Sequence, residues 1–304
     1  MPERPRYRTV VYDSARWDGF DFRGDDIVIS TPPKCGTTWM QMLCALLLFR
    51  TADLPAPLAQ ISPWLDMQTR PLDEVVRDLD AQTHRRFIKT HCPLDGIPFD
   101  PQVTYINVAR DPRDVALSWD NHMSNMDIER FLAVRVAAVG SDDFEALGVT
   151  EPPAQPDDPV DRFWQWIEAD EADEPVSGLP RVVHHVETFW DERDRPNVHL
   201  FHYGDLTVDL PGQMRRLADN LRVAPPTDEL VAAGSFSAMK RRADHLVPNS
   251  DTPFWFSSDR FFDQGRHQAW RAIVDAEGER RYEEALARLA PPDLAEFLNG
   301  GWLG

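Results

Sequence analysis

The stretch Thr31-Pro32-Pro33-Lys34-Cys35-Gly36-Thr37-Thr38-Trp39 follows a short apolar run at 27–29 and precedes an apolar helical pattern at 40–49. A strand, a tight turn and a helix start in this order favour anion binding, because backbone N–H groups and the positive end of the helix face the ligand. The spacing differs from that of the nucleotide-hydrolase loop, since Gly36 is the one glycine and Lys34 precedes it. The stretch therefore predicts a phosphate site for a nucleotide whose terminal group is not a phosphate.

Length, charge and hydropathy narrow the class of protein. The 304 residues include 32 Lys and Arg against 51 Asp and Glu, a net charge of −19, which disfavours nucleic acid and anionic membranes as partners. Hydrophobic residues make up 42% of the chain, so the acidic excess does not indicate disorder. No basic and apolar leader opens the chain, and the longest apolar stretch is about half of the roughly 20 residues that a membrane span needs. We expect a cytoplasmic protein without an integral membrane segment.

The three cysteines, Cys35, Cys44 and Cys92, are too few for a disulfide scaffold and lack the spacing of a zinc site. Cys44 falls in the apolar helical pattern, so we expect a small core residue there. Cys35 lies inside the phosphate loop, and a filler role is favoured over catalysis because no histidine neighbours it in sequence. We expect no metal.

Short β-branched runs alternate with helical patterns along the chain. The runs lie at 26–30, 86–90, 103–108 and 198–203, and the helical patterns at 111–123, 163–168, 182–193 and 210–221. This alternation predicts an α/β fold with a central, mainly parallel sheet and helices on both faces, a three-layer sandwich. We expect one domain over residues 1–304.

The segment at about 127–180 differs in composition from the rest of the chain. It holds acidic and proline clusters, among them Glu151-Pro152-Pro153 and the acidic run 168–174. Such clusters predict a surface excursion, partly helical, inserted into the α/β scaffold. Two interpretations stay open, a solvated insertion without a role and a lid over the substrate pocket.

Two further blocks accompany the phosphate loop, FIKTHCP at 87–93 and VARDPRDVALS at 108–118. In order and spacing the three blocks closely resemble the cytosolic-type sulfotransferases, and weaker similarity extends from 196–206 to the C-terminus. The resemblance implies a P-loop-like fold and 3′-phosphoadenosine 5′-phosphosulfate (PAPS) as sulfuryl donor, which leaves as 3′,5′-adenosine bisphosphate. We expect the acceptor to be a hydroxyl of a small, apolar molecule (a phenol, alcohol, sterol or glycolipid), and the enzyme to be a monomer or homodimer.

The same resemblance implies three catalytic residues. His91 matches the general base of the family, and an imidazole, with an ordinary pKa near ~6.5, suits proton removal from a hydroxyl. Lys34 offers an ammonium to the bridging or 5′-phosphate oxygens. Lys89 projects to the same side of an extended chain as His91 and is expected to stabilise the sulfuryl oxygens.

The donor contacts follow from the same match. Backbone amides and hydroxyls of Gly36, Thr37 and Thr38 are expected to hold the 5′-phosphate, and Trp39 offers a face on which adenine stacks. Arg110 and Ser118 match the 3′-phosphate contacts, since a guanidinium suits a dianionic phosphate. The remaining matched positions share the lining of the adenine pocket or the C-terminal end of the donor site: Tyr203, Ser235, Phe236, Gly265 and Arg266.

The C-terminal block departs from the family pattern. Gly265, Trp270 and Arg271 keep the spacing, but Asp263-Gln264 replaces the usual basic pair. Compensation by Arg266 is favoured. A role for Arg260 or His267, weakened donor binding, and a different path of this loop stay open.

The acceptor side is harder to place from the residues. Phe20, Trp64, Phe144 and Trp255 fall in stretches that are candidates for the pocket wall, with ordinary packing favoured for each, and His185 is expected to be structural. Two other functions stay open: a non-catalytic nucleotide-binding or regulatory protein on the same fold, and a small-molecule P-loop kinase, for which no Walker-type loop is found. A donor other than PAPS, such as an aryl sulfate, is a subsidiary alternative.

Overall fold

The centre of the fold is a four-stranded parallel sheet. The computed structural model describes residues 4–148, 156–170, 176–242, 246, 254–257, 260 and 267–303. The strands are β1 (Ile27–Ser30), β2 (Phe87–Thr90), β3 (Thr104–Ala109) and β4 (Val198–His202), in the order β2-β1-β3-β4. All three strand pairs are parallel, and each predicted strand is confirmed to within one residue at either end.

Helices cover both faces of the sheet, as predicted. Ile27 and Ile29 pack in an apolar cluster with the helices on one side, whereas Val28 between them packs in a second cluster on the other side. Because successive strand residues point to opposite faces, a sheet buried on both sides needs the continuous apolar runs that the sequence shows. The three-layer architecture is confirmed.

Thirteen α-helices are found among the described ranges. They are α1 (Thr37–Phe49), α2 (Leu58–Ile61), α3 (Leu72–Ala81), α4 (Pro112–Ser124), α5 (Ile128–Val139), α6 (Pro159–Glu168), α7 (Leu179–Trp190), α8 (Tyr203–Val208), α9 (Leu210–Leu221), α10 (Asp228–Ala233), α11 (Phe236–Lys240), α12 (Ala276–Ala287) and α13 (Pro292–Gly300). Short 3-10 turns lie at Ser14–Trp17, Leu94–Gly96 and Ala269–Ala272. Over the part of the chain with described coordinates, no helix has both the length and the apolar character to span a bilayer.

The segment 127–180 contributes to the core as well as to the surface. Helix α6 buries Phe163, Trp166 and Ile167 in the same apolar cluster as α7. Arg162 on α6 pairs with Asp120 on α4, which ties the segment to the body of the fold. The description of this segment as a surface excursion therefore fails for α6, because its apolar face needs a partner. Residues 149–155 and 171–175, which hold Glu151-Pro152-Pro153 and the second half of the acidic run 168–174, lie outside the described residues.

Candidate active site

A cavity of about 330 Å³ opens at the carboxyl ends of the four strands. Parallel sheets place ligands at this edge, because the loops that follow the strands converge there. The cavity brings together most of the residues predicted for the site: Lys34, Gly36, Thr37, Thr38, Trp39, Lys89, His91, Arg110, Ser118, Tyr203 and Phe236. Ser235 is placed differently, since it is not part of the cavity lining and its hydroxyl caps α11 by accepting from Ala238 N at 3.3 Å. Gly265 and Arg266 lie outside the described residues.

The loop after β1 has the shape that a phosphate site requires. Gly36 has φ +102°, and a Cβ there would lie 3.0 Å from Cδ2 of Tyr203, so glycine is needed for both conformation and space. Lys34 also takes a left-handed conformation, with φ 68°. Helix α1 begins directly after Gly36, so the N–H groups of its first turn lie next to the cavity.

Arg110 follows β3 and is held against the phosphate loop. Its Nη1 donates to the carbonyl of Lys34 at 3.0 Å, and its guanidinium lies 4.3 Å from the centre of the Tyr203 ring. These contacts fix a cation in the cavity wall on the side of α1. Arg113, the other arginine of the block, makes a two-pronged ion pair with Asp111 at 2.9 and 2.8 Å.

The hydrogen bond of His91 decides which ring nitrogen can accept a proton. Its Nδ1 lies 2.7 Å from the carbonyl oxygen of Thr31. A carbonyl accepts and never donates, so Nδ1 carries the hydrogen and Nε2 holds the lone pair. Burial, reinforced by the charge of Lys89, lowers the pKa of His91 well below its usual value. The imidazole is therefore neutral at pH 7, the form in which it accepts a proton.

Lys89 is buried beside His91. Burial lowers the pKa of Lys89 to about 7, with a further decrease from the charge of Lys34 and an opposing effect from Asp66. Its Nζ lies 4.2 Å from the centre of the Trp64 ring, within the range of a cation–π contact. The ammonium thus exchanges protons near neutral pH, which makes its charge sensitive to the ligands bound in the cavity.

Trp64 and Trp255 line the cavity and also pack against the apolar core, so the two interpretations both describe them. Phe20 instead packs against Trp17, and Phe144 lies under the guanidinium of Arg135. Hydrophobic periodicity does not separate wall from core, because both need large apolar side chains.

His122 is a cavity residue that the sequence reasoning missed. Its Nδ1 lies 3.3 Å from Nζ of Lys34, and burial together with the Lys34 charge lowers the pKa of His122 well below its usual value. The available signal was its position on α4, four residues after Ser118, where two side chains share one face of a helix.

The described part of the C-terminal block lies next to the site. The backbone N–H groups of Gln268 and Trp270 donate to the carboxylate of Asp114 at 2.7 and 3.3 Å. Nδ1 of His267 lies 3.8 Å from the same carboxylate. These contacts bring residues 267–270 to the first turns of α4, next to Arg110.

The cysteines and His185 have structural surroundings. Cys35 is fully buried, and burial raises the pKa of its thiol to about 12, so the thiol stays protonated and the filler interpretation fits. Cys44 is also buried in the core. His185 lies 2.9 Å from the hydroxyl of Ser30 inside the fold. Within the described ranges, no group of three or more metal-ligating side chains is found.

A phosphate loop, clustered cations and a neutral imidazole at the carboxyl edge of a parallel sheet define a group-transfer site for an anionic donor. Residues 24–290 match the sequence model of the family described as the sulfotransferase domain. The chain therefore belongs to the sulfotransferase family.

Relatives cover the whole chain. It is 39% identical over 321 residues to the glycolipid sulfotransferase of Mycobacterium tuberculosis, a match that spans 100% of this chain and 97% of the relative. It is 24% identical over 274 residues to sulfotransferase 1E1 of Bos taurus, spanning 84% of this chain and 82% of that protein.

Solved structures share the fold. Retinol dehydratase in complex with androsterone and the inactive cofactor PAP superposes with a TM-score of 0.67 at 21% identity, covering 93% of this chain and 89% of that one. Mouse sulfotransferase SULT7A1 complexed with PAP gives a TM-score of 0.63 at 18% identity, covering 93% and 91%. At these identities the likeness establishes the architecture.

Proposed function

We propose that this protein transfers a sulfuryl group from PAPS to a hydroxyl of a small, largely apolar acceptor, with His91 as general base. The observation that carries the proposal is the hydrogen bond from Nδ1 of His91 to the Thr31 carbonyl. It leaves Nε2 as a proton acceptor inside a cavity that also contains Lys34, Lys89 and Arg110. A fixed base beside clustered cations matches a reaction in which a hydroxyl loses a proton while negative charge develops on a leaving phosphate.

The residues present fit the donor. Gly36 lets the loop make its left-handed turn against the Tyr203 ring, and this turn brings the backbone N–H groups at the start of α1 to the cavity, where they can bind a phosphate. Lys34, Thr37 and Thr38 would hold the 5′-phosphate, and Arg110 with Ser118 would hold the 3′-phosphate. An aromatic group would enclose the adenine. It consists of Trp39 and of Tyr203 and Phe236, each of which contacts Trp39 edge to face. PAP complexes of structural neighbours with the same fold support this assignment.

The chain's own groups divide the chemical work. The donor, when bound, supplies the sulfuryl group and a phosphate leaving group. Nε2 of His91 takes the proton of the acceptor hydroxyl, and the ammonium groups of Lys34 and Lys89 stabilise the negative oxygens. Burial strengthens these interactions, because the cavity wall has a lower effective dielectric than water.

The acceptor side favours an amphiphile with a hydroxyl group. Its wall is aromatic and apolar, with Trp64, Phe131, Phe254 and Trp255 around His91. The glycolipid sulfotransferases that are 39% identical make a glycolipid hydroxyl the first candidate. We propose that α5 serves as the lid in the 127–180 segment, because Phe131 on α5 forms part of the wall and Asp127 N, at the start of α5, donates to the carbonyl of Phe254, another wall residue, at 2.9 Å.

We also propose that Arg266 takes the place of the basic pair missing at Asp263-Gln264. The support is the return of the neighbouring residues 267–270 to α4 beside Arg110. Arg266→Ala is then expected to weaken binding of PAP more than binding of adenosine 5′-phosphosulfate, which has no 3′-phosphate. Equal losses for the two nucleotides would contradict the compensation, and Arg280→Ala on the exposed side of α12 is the matched control.

Radiolabelled PAPS offered with a glycolipid, a sterol and a phenol tests the function directly. We expect label to appear in at least one acceptor and, by calorimetry, PAP to bind more tightly than ATP with Mg²⁺. Binding of PAP without labelling of any acceptor would favour a non-catalytic nucleotide-binding protein. A preference for ATP with Mg²⁺ would favour a kinase.

A further inference from the structure

The indole of Trp64 lies between the two residues assigned to the chemistry. Nζ of Lys89 lies over its ring at 4.2 Å from the centroid. The His91 imidazole meets it at 4.6 Å between centroids with an interplanar angle of 89°, an edge-to-face contact. One side chain therefore contacts the buried ammonium and the proposed base at once.

The indole is in turn fixed by a buried carboxylate. Nε1 of Trp64 donates to Oδ1 of Asp66 at 2.6 Å, and Asp66 is fully buried. Hydrogen bonds to a buried charged group are the strong ones, so the indole plane has one favoured orientation. The backbone of this segment is anchored as well, because the N–H of Lys89 donates to the Pro63 carbonyl at 2.9 Å.

The same carboxylate holds the strand end that carries the two residues. Oδ2 of Asp66 accepts from the Thr90 hydroxyl at 2.6 Å, and Thr90 lies between Lys89 and His91. It also accepts from Nε1 of Trp17 at 2.9 Å. Asp66 is thus the common anchor of the indole and of the backbone beneath the site, although it is not part of the cavity lining.

We propose that Trp64 is a positioning residue for sulfuryl transfer, with its indole, oriented by Asp66, keeping Lys89 and His91 in their reactive arrangement. This inference rests on the proposed function for its kinetic consequence. The physical reason is that Lys89 is a long side chain with several rotatable bonds and His91 turns about two, so a fixed aromatic surface between them limits both. Misplacement of either side chain lowers the rate of transfer even when the nucleotide still binds.

Three variants separate positioning from simple packing. Trp64→Leu removes the aromatic face, and Trp64→Phe keeps a face but lacks the N–H donor. Trp166→Phe is the matched control, because it removes a buried indole donor of the same apolar cluster that bonds the Ser177 hydroxyl at 3.1 Å and not Asp66. With both substrates saturating, we expect Trp64→Leu to lower kcat about tenfold, the range of a desolvated cation–π contact, with the Kd of PAP unchanged. Trp64→Phe should recover most of that loss, and Trp166→Phe should keep the kcat of the unaltered protein.

The tautomer of His91, measured by NMR, tests the positioning independently of the transfer activity. In protein labelled with ¹⁵N-histidine, His91 should give the signals of one tautomer with the hydrogen on Nδ1, assigned by their loss in His91→Gln. We expect averaged tautomer signals in Trp64→Leu and unchanged ones in Trp166→Phe. Unaltered kcat and tautomer in Trp64→Leu, or equal losses in Trp166→Phe, would overturn the proposal. Failure of the unaltered protein to transfer a sulfuryl group would instead refute the proposed function, and the tautomer measurement would still decide the positioning.

Discussion

The donor side and the acceptor side of the cavity are built in different ways. The proposed donor side comes mainly from the loop that ends in helix α1 and from the β3–α4 junction, with Tyr203 and Phe236 added at the adenine. It depends on main-chain geometry at Gly36 and on the charge of Arg110. The acceptor side is a wall of side chains from separate segments, including Trp64, Phe131 and Trp255. Binding phosphate requires N–H groups and cations at fixed positions, whereas an apolar wall requires only bulk. The first therefore constrains the sequence far more tightly than the second.

Replacement of His91, at the boundary of the two sides, should give the largest effect. His91→Ala is expected to reduce transfer by about 10²- to 10⁴-fold, the usual contribution of a general base, while PAP affinity stays nearly constant. Turnover with labelled PAPS and calorimetry with PAP measure the two quantities. His84→Ala, at a half-buried histidine that is absent from the cavity lining, is the control. Loss of PAP binding together with transfer would show that His91 supports the donor side itself.

Replacement of Arg110 should damage the donor side alone. Arg110→Ala is expected to weaken PAP binding about 100-fold, because a guanidinium that bonds a phosphate contributes at the upper end for charged hydrogen bonds. Arg110→Lys should recover part of the affinity, since it restores the charge but not the planar fork. Calorimetry provides the affinities, and Arg77→Ala on the exposed face of α3 serves as the reference. Equal affinities of Arg110→Ala and Arg77→Ala for PAP would show that Arg110 does not contribute to donor binding.

The pH dependence of turnover should report the protonation state of Lys89. Its pKa of about 7 means that the ammonium is charged below that pH and is lost as the pH rises through it. We expect kcat/KM to fall by about tenfold per pH unit above this value, because this parameter reports the free enzyme. In the pH profile of kcat, which reports the enzyme with its substrates bound, this decrease should begin at a higher pH, because a bound anionic donor favours the charged form of Lys89. Lys89→Arg should abolish the decrease in rate at high pH, because a guanidinium stays charged. If the decrease persists in this variant, another group is responsible for the titration.

Changes to the acceptor wall should give the smallest effect. Phe131→Leu keeps an apolar side chain but reduces its size, so we expect the KM of the acceptor to rise by about 3- to 10-fold, as for the loss of one or two methylene-sized contacts. The Kd of PAP should not change, because Phe131 contributes from α5 rather than from the phosphate loop. Equal effects on donor and acceptor would mean that the two sides are one coupled unit.

The fold was readily predicted, because its signals are local. Each strand appears as a short apolar run, and the start of α4 is marked by Asp111, whose side chain accepts from the N–H of Arg113, and by Pro112 in the first turn. The catalytic assignments of Lys34, Lys89 and His91 stay predictions, although the structure brings all three into one cavity. The lid role of segment 127–180 stays a prediction, and within this segment α6 packs its apolar residues Phe163, Trp166 and Ile167 next to α4 and α7.

The sequence by itself determined the parallel sheet, the phosphate loop and the presence of an imidazole and cations at the strand ends, because these depend on residues close together along the chain. Tertiary structure alone decided the tautomer of His91, the contact of Lys34 with His122 and the anchoring of Trp64 by Asp66. The first two of these depend on partners 60 and 88 residues apart. The third is local, but its effect on His91 requires the strand pairing that brings residue 64 beside Lys89. Hydrogen-bond geometry and burial set these properties, and both exist only once the chain has folded.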